Sequence, residues 1–268
     1  MNSEPAKALT IGGSDSGGAA GIQADLKTWT ALGIYGMSAI TAVTAQNSLT
    51  VAAVHYLSPE MVAAQITAVL TDYGAEAIKT GFLGQTALIT EVARQLRRRP
   101  AIPLIVDPVL VNHQGQAMFA ADVIAAYTTE LLPLATVVTP NWREAALLAG
   151  LPPADLLSDS GLDTAVTHLH EAGAANVLVT GLLRGAQIVD VWSDGRDLVS
   201  LPQPRIDTAN THGSGDTLSA ALCAWLARGT SLQQAIPAAQ SYTARAIRDA
   251  AEWRVGSGHG PLSHFAPD

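Results

Sequence analysis

Residues 211–229 read THGSGDTLSAALCAWLARG, and the fold turns on them. Leu218, Ala221, Leu222, Trp225 and Leu226 recur at three- and four-residue spacing, which predicts an apolar helix. Gly229 stands where a C-terminal cap belongs, and the helix should begin near residues 215–216. A helix start leaves backbone N–H groups unpaired and carries partial positive charge, so it attracts anions. Gly213 and Gly215 remove the side chains that would hold a phosphate away from those donors. In isolation such a string reads most simply as a turn with Asp216 as N-cap. Its context decides between cap and anion site.

Working outward, strand-like and helix-like segments alternate. KALTIGG (7–13) opens as a strand, and GIQADLKTWTALG (21–33) follows as a helix with Ile22, Leu26, Trp29 and Leu32 on one face. MSAITAVTAQ (37–46) and VAAVHYL (51–57) read as strands. PEMVAAQITAVLTDYG (59–74) reads as a helix entered at Pro59 and ended at Gly74. AEAIKTG (75–81), PLIVDPV (103–109), ATVVTPN (135–141) and ANVLVTG (175–181) are short apolar runs, each closed by a polar or Gly/Pro cluster. This rhythm predicts an α/β fold with a mostly parallel central sheet and helices on both faces. AQIVDVWSDGRDLVSLP (186–202) differs: two alternating runs flank a turn, the pattern of an antiparallel edge hairpin. No composition break or repeat divides the chain, so residues 1–268 read as one domain. In an open α/β sheet, ligands bind outside the carboxyl ends of the strands. The polar clusters at 12–15, 46–47, 80–81, 107–108, 139–141 and 180–181 therefore belong to one rim, with the helix start at 213–216.

Composition narrows the function. With 268 residues, 48% of them hydrophobic, the chain can bury a large core. A net charge of −8 argues against nonspecific nucleic-acid binding; the single basic run, RQLRRRP (94–100), reads as a solvated helix end. One cysteine, Cys223, excludes an internal disulfide and suits a reducing compartment. It lies inside the apolar helix and reads as a buried structural thiol. No apolar stretch is long enough to span a membrane, and the first residues lack a signal-peptide pattern. A cytoplasmic protein is expected.

The constellation has a counterpart. ALTIGGSDSGGAAGIQADLKTWTALGIYGMSAITAVTAQNS (8–48), VDPVLV (106–111), TPNWREAALL (139–148), NTHGSGDTLSAAL (210–222) and VGSGHGPLSHF (255–265) occur in the order found in one family. The chain resembles the hydroxymethylpyrimidine/phosphomethylpyrimidine kinases of thiamine biosynthesis, within the ribokinase-like superfamily. That resemblance implies transfer of the ATP γ-phosphoryl group to an alcohol or phosphate oxygen on a small heteroaromatic substrate. It also implies that the turn before residue 216 is the anion hole, and the chain has no GxxxxGK[ST] loop to serve instead. Two positions depart from the family pattern. Asp216 stands where cysteine is typical, as in the wider superfamily, and Thr180 stands where lysine commonly meets the nucleotide phosphates.

By this resemblance Asp216 is the general base, and Gly213, Ser214 and Gly215 stabilise the transferring group through backbone N–H groups. Asn141, Asp107 and Thr180 belong to the ATP region, and Glu144 and Asp107 to Mg²⁺, an ion that favours oxygen ligands and retained water. The bland alternative for Asn141 and Glu144 is a capping box. Asp25 and Gln46 are the substrate-side residues, since the Gln46 amide can match an aminopyrimidine edge. Gly13, Val109 and Phe82 are further candidates at the ring, and Phe82 is equally readable as core. His168 and His170, two apart on a helix, point to different faces and form no metal pair. His212 reads as structural. A homodimer is suggested by the resemblance and the edge hairpin. Alternatives are a pyridoxine or pyridoxal kinase on the same scaffold and a non-catalytic pyrimidine-binding protein.

Overall fold

The computed structural model describes residues 4–112 and 114–265. The first half of the chain forms β1 (Lys7–Asp15), α1 (Gly21–Ala31), β2 (Tyr35–Gln46), β3 (Val51–Tyr56), α2 (Pro59–Asp72), β4 (Ala77–Thr80), α3 (Thr86–Leu96) and β5 (Leu104–Val106). There follow α4 (Ala121–Ala126), β6 (Val137–Val138), α5 (Trp142–Ala149), α6 (Asp159–Glu171) and β7 (Val177–Arg184). The hairpin strands β8 (Gln187–Ser193) and β9 (Leu198–Pro204) precede α7 (Ser214–Ala227) and α8 (Leu232–Asp249). The described residues pack as two compact units, one from 4–83, 101–103 and 206–265, the other from 84–100, 104–112 and 114–205.

In the first unit the strand order is β3-β2-β1-β4. β1 runs parallel to both β2 and β4, while β3 returns antiparallel to β2. Parallel neighbours need a crossover, and α1 supplies the one between β1 and β2. Leu9, Ile11 and Ile78 are buried with the fully enclosed Trp29 of α1. Trp29 donates its indole N–H to the Ala220 carbonyl of α7 at 2.8 Å, which fixes the two helices together. Truncating a buried aromatic of this size costs ~3–5 kcal/mol. The buried stripe of α1 contains Ile22 and Trp29 as the spacing predicts, but Asp25 and Thr28 are buried with them. A carboxylate inside that stripe needs a partner, and one is found below.

In the second unit the order is β5-β6-β7-β8-β9, parallel from β5 to β7 and antiparallel beyond. The hairpin predicted from residues 186–202 is present, and its turn is tied by Asp194 Oδ1 accepting from the N–H groups of Arg196 and Asp197. One difference is that β7 does not stop at residue 180. The register shifts between Val179 and Leu182, where Gly181 adopts φ 79°, and the strand continues to Arg184 against β8. A left-handed glycine lets the strand bulge without ending it.

Candidate active site

α7 begins at Ser214, one residue earlier than the spacing suggests, with Gly213 as N-cap at φ 82° and no side chain capping the helix. Asp216 therefore sits in the first turn and is not the cap. A Cβ on Gly213 would collide with the Ala19 carbonyl, whereas one on Gly215 would meet no atom within 4 Å. Gly213 is required by the protein's own packing. Gly215, exposed, keeps an approach to the helix start open. Ser214 N–H donates to Thr211 O at 3.1 Å, so the first-turn donors left without an intrahelical carbonyl are those of Gly215 and Asp216.

Asp216 is 15% exposed at its side chain, and its Oδ1 lies 3.3 Å from Lys79 Nζ. Lys79 is a functional candidate that the sequence reading missed. It is fully buried in β4, 2.5 Å from Asp25 Oδ1, and Thr10 Oγ1 donates to Asp25 Oδ2 at 2.6 Å. Burial pushes the Asp25 carboxyl up from its ordinary range, against the pull of Lys79. Asp25 is thus brought to Asp216 through Lys79, beneath the surface rather than on it. The available signal was a lysine inside the apolar run AIKT, all of whose residues are buried. Charged groups are almost never fully buried unless paired.

The remaining first-unit candidates gather near the ends of β1, β2 and β4. Gly13 packs on Phe82, whose ring a Cβ would approach to 3.1 Å. Phe82 stacks on Tyr56 with centroids 6.0 Å apart, and is half-buried. The half-buried Gln46 has its Nε2 3.2 Å from His212 Nε2, and its Oε1 accepts from Thr44 Oγ1 at 3.2 Å. His212 lies against His259 at 5.2 Å between centroids. Both rings line a cleft of about 220 Å³ together with Asp15, Asn47 and Val255. Asp15 holds the 17–20 turn by accepting from the N–H groups of Gly17, Ala19 and Ala20. The tail is strapped across: Ser48 Oγ accepts from Ser257 and Gly258 N–H, and His264 pairs with Thr217 Oγ1 at 2.9 Å.

The second unit carries the others. Asn141 caps α5, accepting from Arg143 and Glu144 N–H, while Glu144 Oε2 accepts from Asn141 N–H, completing a capping box. Glu144 Oε1 also accepts from Leu110 N–H at 2.8 Å, so the acid fixes the loop after β5. In that loop lie Asp107, buried, and Val109, at φ 43° the one non-glycine described residue with positive φ. Burial, and then the charge of Asp107, push the Glu144 carboxyl up to about 7. Thr180 N–H donates to Pro140 O at 2.9 Å, placing Thr180 beside Asn141 in a parallel bridge. Two buried acids in mutual repulsion fit a divalent cation. Among the described residues no three His, Cys, Asp or Glu converge on one point, so such an ion would depend on water and phosphate oxygens as well. His168 and His170 bind different carbonyls, of Ala149 and Ala174. Cys223 is buried, and burial pushes its thiol up.

Comparison with known proteins finds relatives over nearly the whole chain. The family model for phosphomethylpyrimidine kinase matches residues 15–263. The hydroxymethylpyrimidine/phosphomethylpyrimidine kinase of Rhizobium meliloti is 47% identical over 259 residues, 96% of either chain. Among solved structures, pyridoxal kinase from Staphylococcus aureus in complex with ADP superposes with TM-score 0.90 at 34% identity, covering 98% of this chain and 95% of that one. Phosphomethylpyrimidine kinase from Clostridium difficile gives TM-score 0.80 at 33% identity, over 90% and 99%. With a family match spanning nearly all of its length and a relative 47% identical over 96% of it, the chain belongs to the phosphomethylpyrimidine kinase family.

Proposed function

We propose that the chain transfers the γ-phosphoryl group of ATP to the hydroxymethyl oxygen of 4-amino-5-hydroxymethyl-2-methylpyrimidine, and then to the phosphate of that product. The observation that carries this reading is the start of α7: unpaired donors, an open approach at Gly215, and a carboxylate in the same turn held by a buried cation. In the first transfer the hydroxyl oxygen bonds to the γ-phosphorus, its proton passes to Asp216, and the bond to the ADP oxygen breaks. The transition state is loose, so the proton moves late and orientation dominates. The Gly215 and Asp216 N–H groups offset the charge on the transferring oxygens. Gln46 offers an amide donor and acceptor to the aminopyrimidine edge.

Asp107, Asn141 and Glu144 would hold Mg²⁺ and the nucleotide phosphates, with Thr180 beside them. The ion would neutralise phosphate charge that no lysine at position 180 can meet. The match from 15 to 263 supports reading residues 1–268 as a single kinase domain. A cytoplasmic homodimer, with no nucleic-acid or membrane partner, completes the proposal. The charge of −8 speaks against a nucleic-acid partner, and no described helix is long and apolar enough to cross a membrane.

ADP release should be followed with hydroxymethylpyrimidine, its monophosphate and pyridoxal as acceptors, with and without Mg²⁺. Both pyrimidines should turn over, and Mg²⁺ should be required. The pyridoxal kinase structures favour a second reading, in which pyridoxal is the better acceptor. A tenfold preference for pyridoxal in kcat/KM would select it. Gln46→Ala separates the two further: it should weaken the pyrimidine by about 1–3 kcal/mol and pyridoxal less, because only the pyrimidine leaves paired polar groups unmet.

A further inference from the structure

The first unit contains a charged chain that ordinary packing does not need. Lys79 Nζ is 2.5 Å from Asp25 Oδ1 and 3.3 Å from Asp216 Oδ1, and Thr10 Oγ1 closes the far end on Asp25. The side chains of Lys79, Asp25 and Asp216 are 0, 1 and 15% exposed, so the chain opens to solvent at Asp216. One ammonium serves two carboxylates. The shorter contact anchors it, and the longer one presents its charge to a group in the first turn of α7.

We propose that Lys79 is a positioning residue for phosphoryl transfer: it holds the Asp216 carboxylate turned toward the acceptor oxygen, with Asp25 and Thr10 as its anchor. The proposal rests on Asp216 acting as the base. Lys79 engages Oδ1, which leaves Oδ2 to receive the acceptor proton. A side chain fixed by a charge-assisted bond presents one orientation, where a free aspartate samples several.

The other titratable groups about this cluster come from each element packed on it. α1 adds Lys27, exposed and bound to Gly18 O at 2.6 Å. The tail adds His264, which burial and then Lys27 hold down to about 4, so it is neutral at pH 7. α7 adds the buried thiol of Cys223. β1 ends in Asp15, whose oxygens are turned onto the 17–20 backbone. On α8, Arg245 lies over the Tyr242 ring. Among the described residues, Lys79 is the cation bonded to Asp216.

The test is kcat and KM, measured separately, for four proteins: wild type, Asp25→Asn, the pair Asp25→Asn with Lys79→Met, and Asp216→Asn. A fifth protein carries all three changes. Removing both members of the buried pair avoids stranding a charge, and thermal unfolding checks that each variant folds. The pair variant should lose about tenfold in kcat with KM little changed. Asp25→Asn alone, which leaves Lys79 to Asp216, should lose less in kcat than the pair. Added to Asp216→Asn, the pair should cause no further loss. A kcat of the pair variant within about twofold of wild type would overturn the proposal. So would losses that multiply with that of Asp216→Asn, since a structural lysine behaves so. Turnover of Asp216→Asn within threefold of wild type removes the base assignment itself, and the proposal with it. Should the pair variant not fold, Asp25→Asn decides: a kcat within about threefold of wild type supports the proposal, and a loss as large as that of Asp216→Asn, with Lys79 still beside Asp216, overturns it.

Discussion

At the residue scale, the two glycines of the helix start make a sharp contrast. Gly213 sits at φ 82° against the Ala19 carbonyl, so Gly213→Ala combines left-handed strain with a backbone collision. It should destabilise by ~2 kcal/mol or more, read as a lowered thermal midpoint. Gly215→Ala meets open space at an ordinary φ and should leave stability within about 0.5 kcal/mol. Its methyl group would nonetheless stand where the transferring phosphoryl must approach, and kcat should fall by about tenfold or more. If Gly215→Ala keeps full activity, the phosphoryl group does not use this helix start. Asp216→Asn should fold normally and lose ~10²-fold or more in turnover. These residues were legible because glycines before an apolar helix leave a local pattern. Lys79 was not, because its meaning lies in Asp25, 54 positions earlier in sequence, and Asp216, 137 later. A lone lysine in a four-residue run looks like one facing solvent.

At the element scale, α5 illustrates how a local signal carries more than one consequence. N-x-x-E predicts a capping box, and the box is there. What spacing could not show is that Glu144 also reaches the Leu110 and Val111 N–H groups, and is buried beside Asp107. Burial pushes its carboxyl from 4.5 up to about 7. The folded state therefore holds more protons than the unfolded one between those values. Stability contributed by the protonated form is full below about 4.5 and is lost as pH rises through about 7. Asp25, raised by its own burial, acts in the same sense. Glu144→Gln should flatten this fall, measured as thermal midpoint against pH from 4.5 to 8. A midpoint profile parallel to wild type would mean that Glu144 stays ionised throughout. Mg²⁺, favouring the ionised acids, should stabilise wild type more at pH 8 than at pH 5. The extension of β7 was likewise hidden, since Gly181 reads as a stop in sequence and serves as a bulge in the sheet.

At the scale of the whole molecule, the alternation of apolar runs and helical periodicity made the α/β class readable, because each parallel strand must be followed by a crossover. Edges are less readable, since nothing local says which strand lies outermost. The hairpin strand β9 carries Pro202 and Pro204, which have no N–H to offer and so blunt that edge. β3 has no such guard. Its sequence is VAAVHY, its first five residues are exposed, and Val51 and Val54 are 50 and 40% accessible. An apolar, proline-free edge invites strand pairing or aggregation, and proteins that carry one commonly cover it. A second copy of the chain is the occupant expected here, through a two-fold interface that buries β3 of each protomer. Light scattering at micromolar concentration should give twice the 27.7 kDa chain mass. Val54→Lys should shift the mass toward the monomer, because a charge at the centre of a symmetric interface faces its own copy. Val199→Lys on β9 should leave the mass unchanged. A wild-type monomer would exclude the dimer; a dimer broken by Val199→Lys and spared by Val54→Lys would move the interface to the hairpin edge.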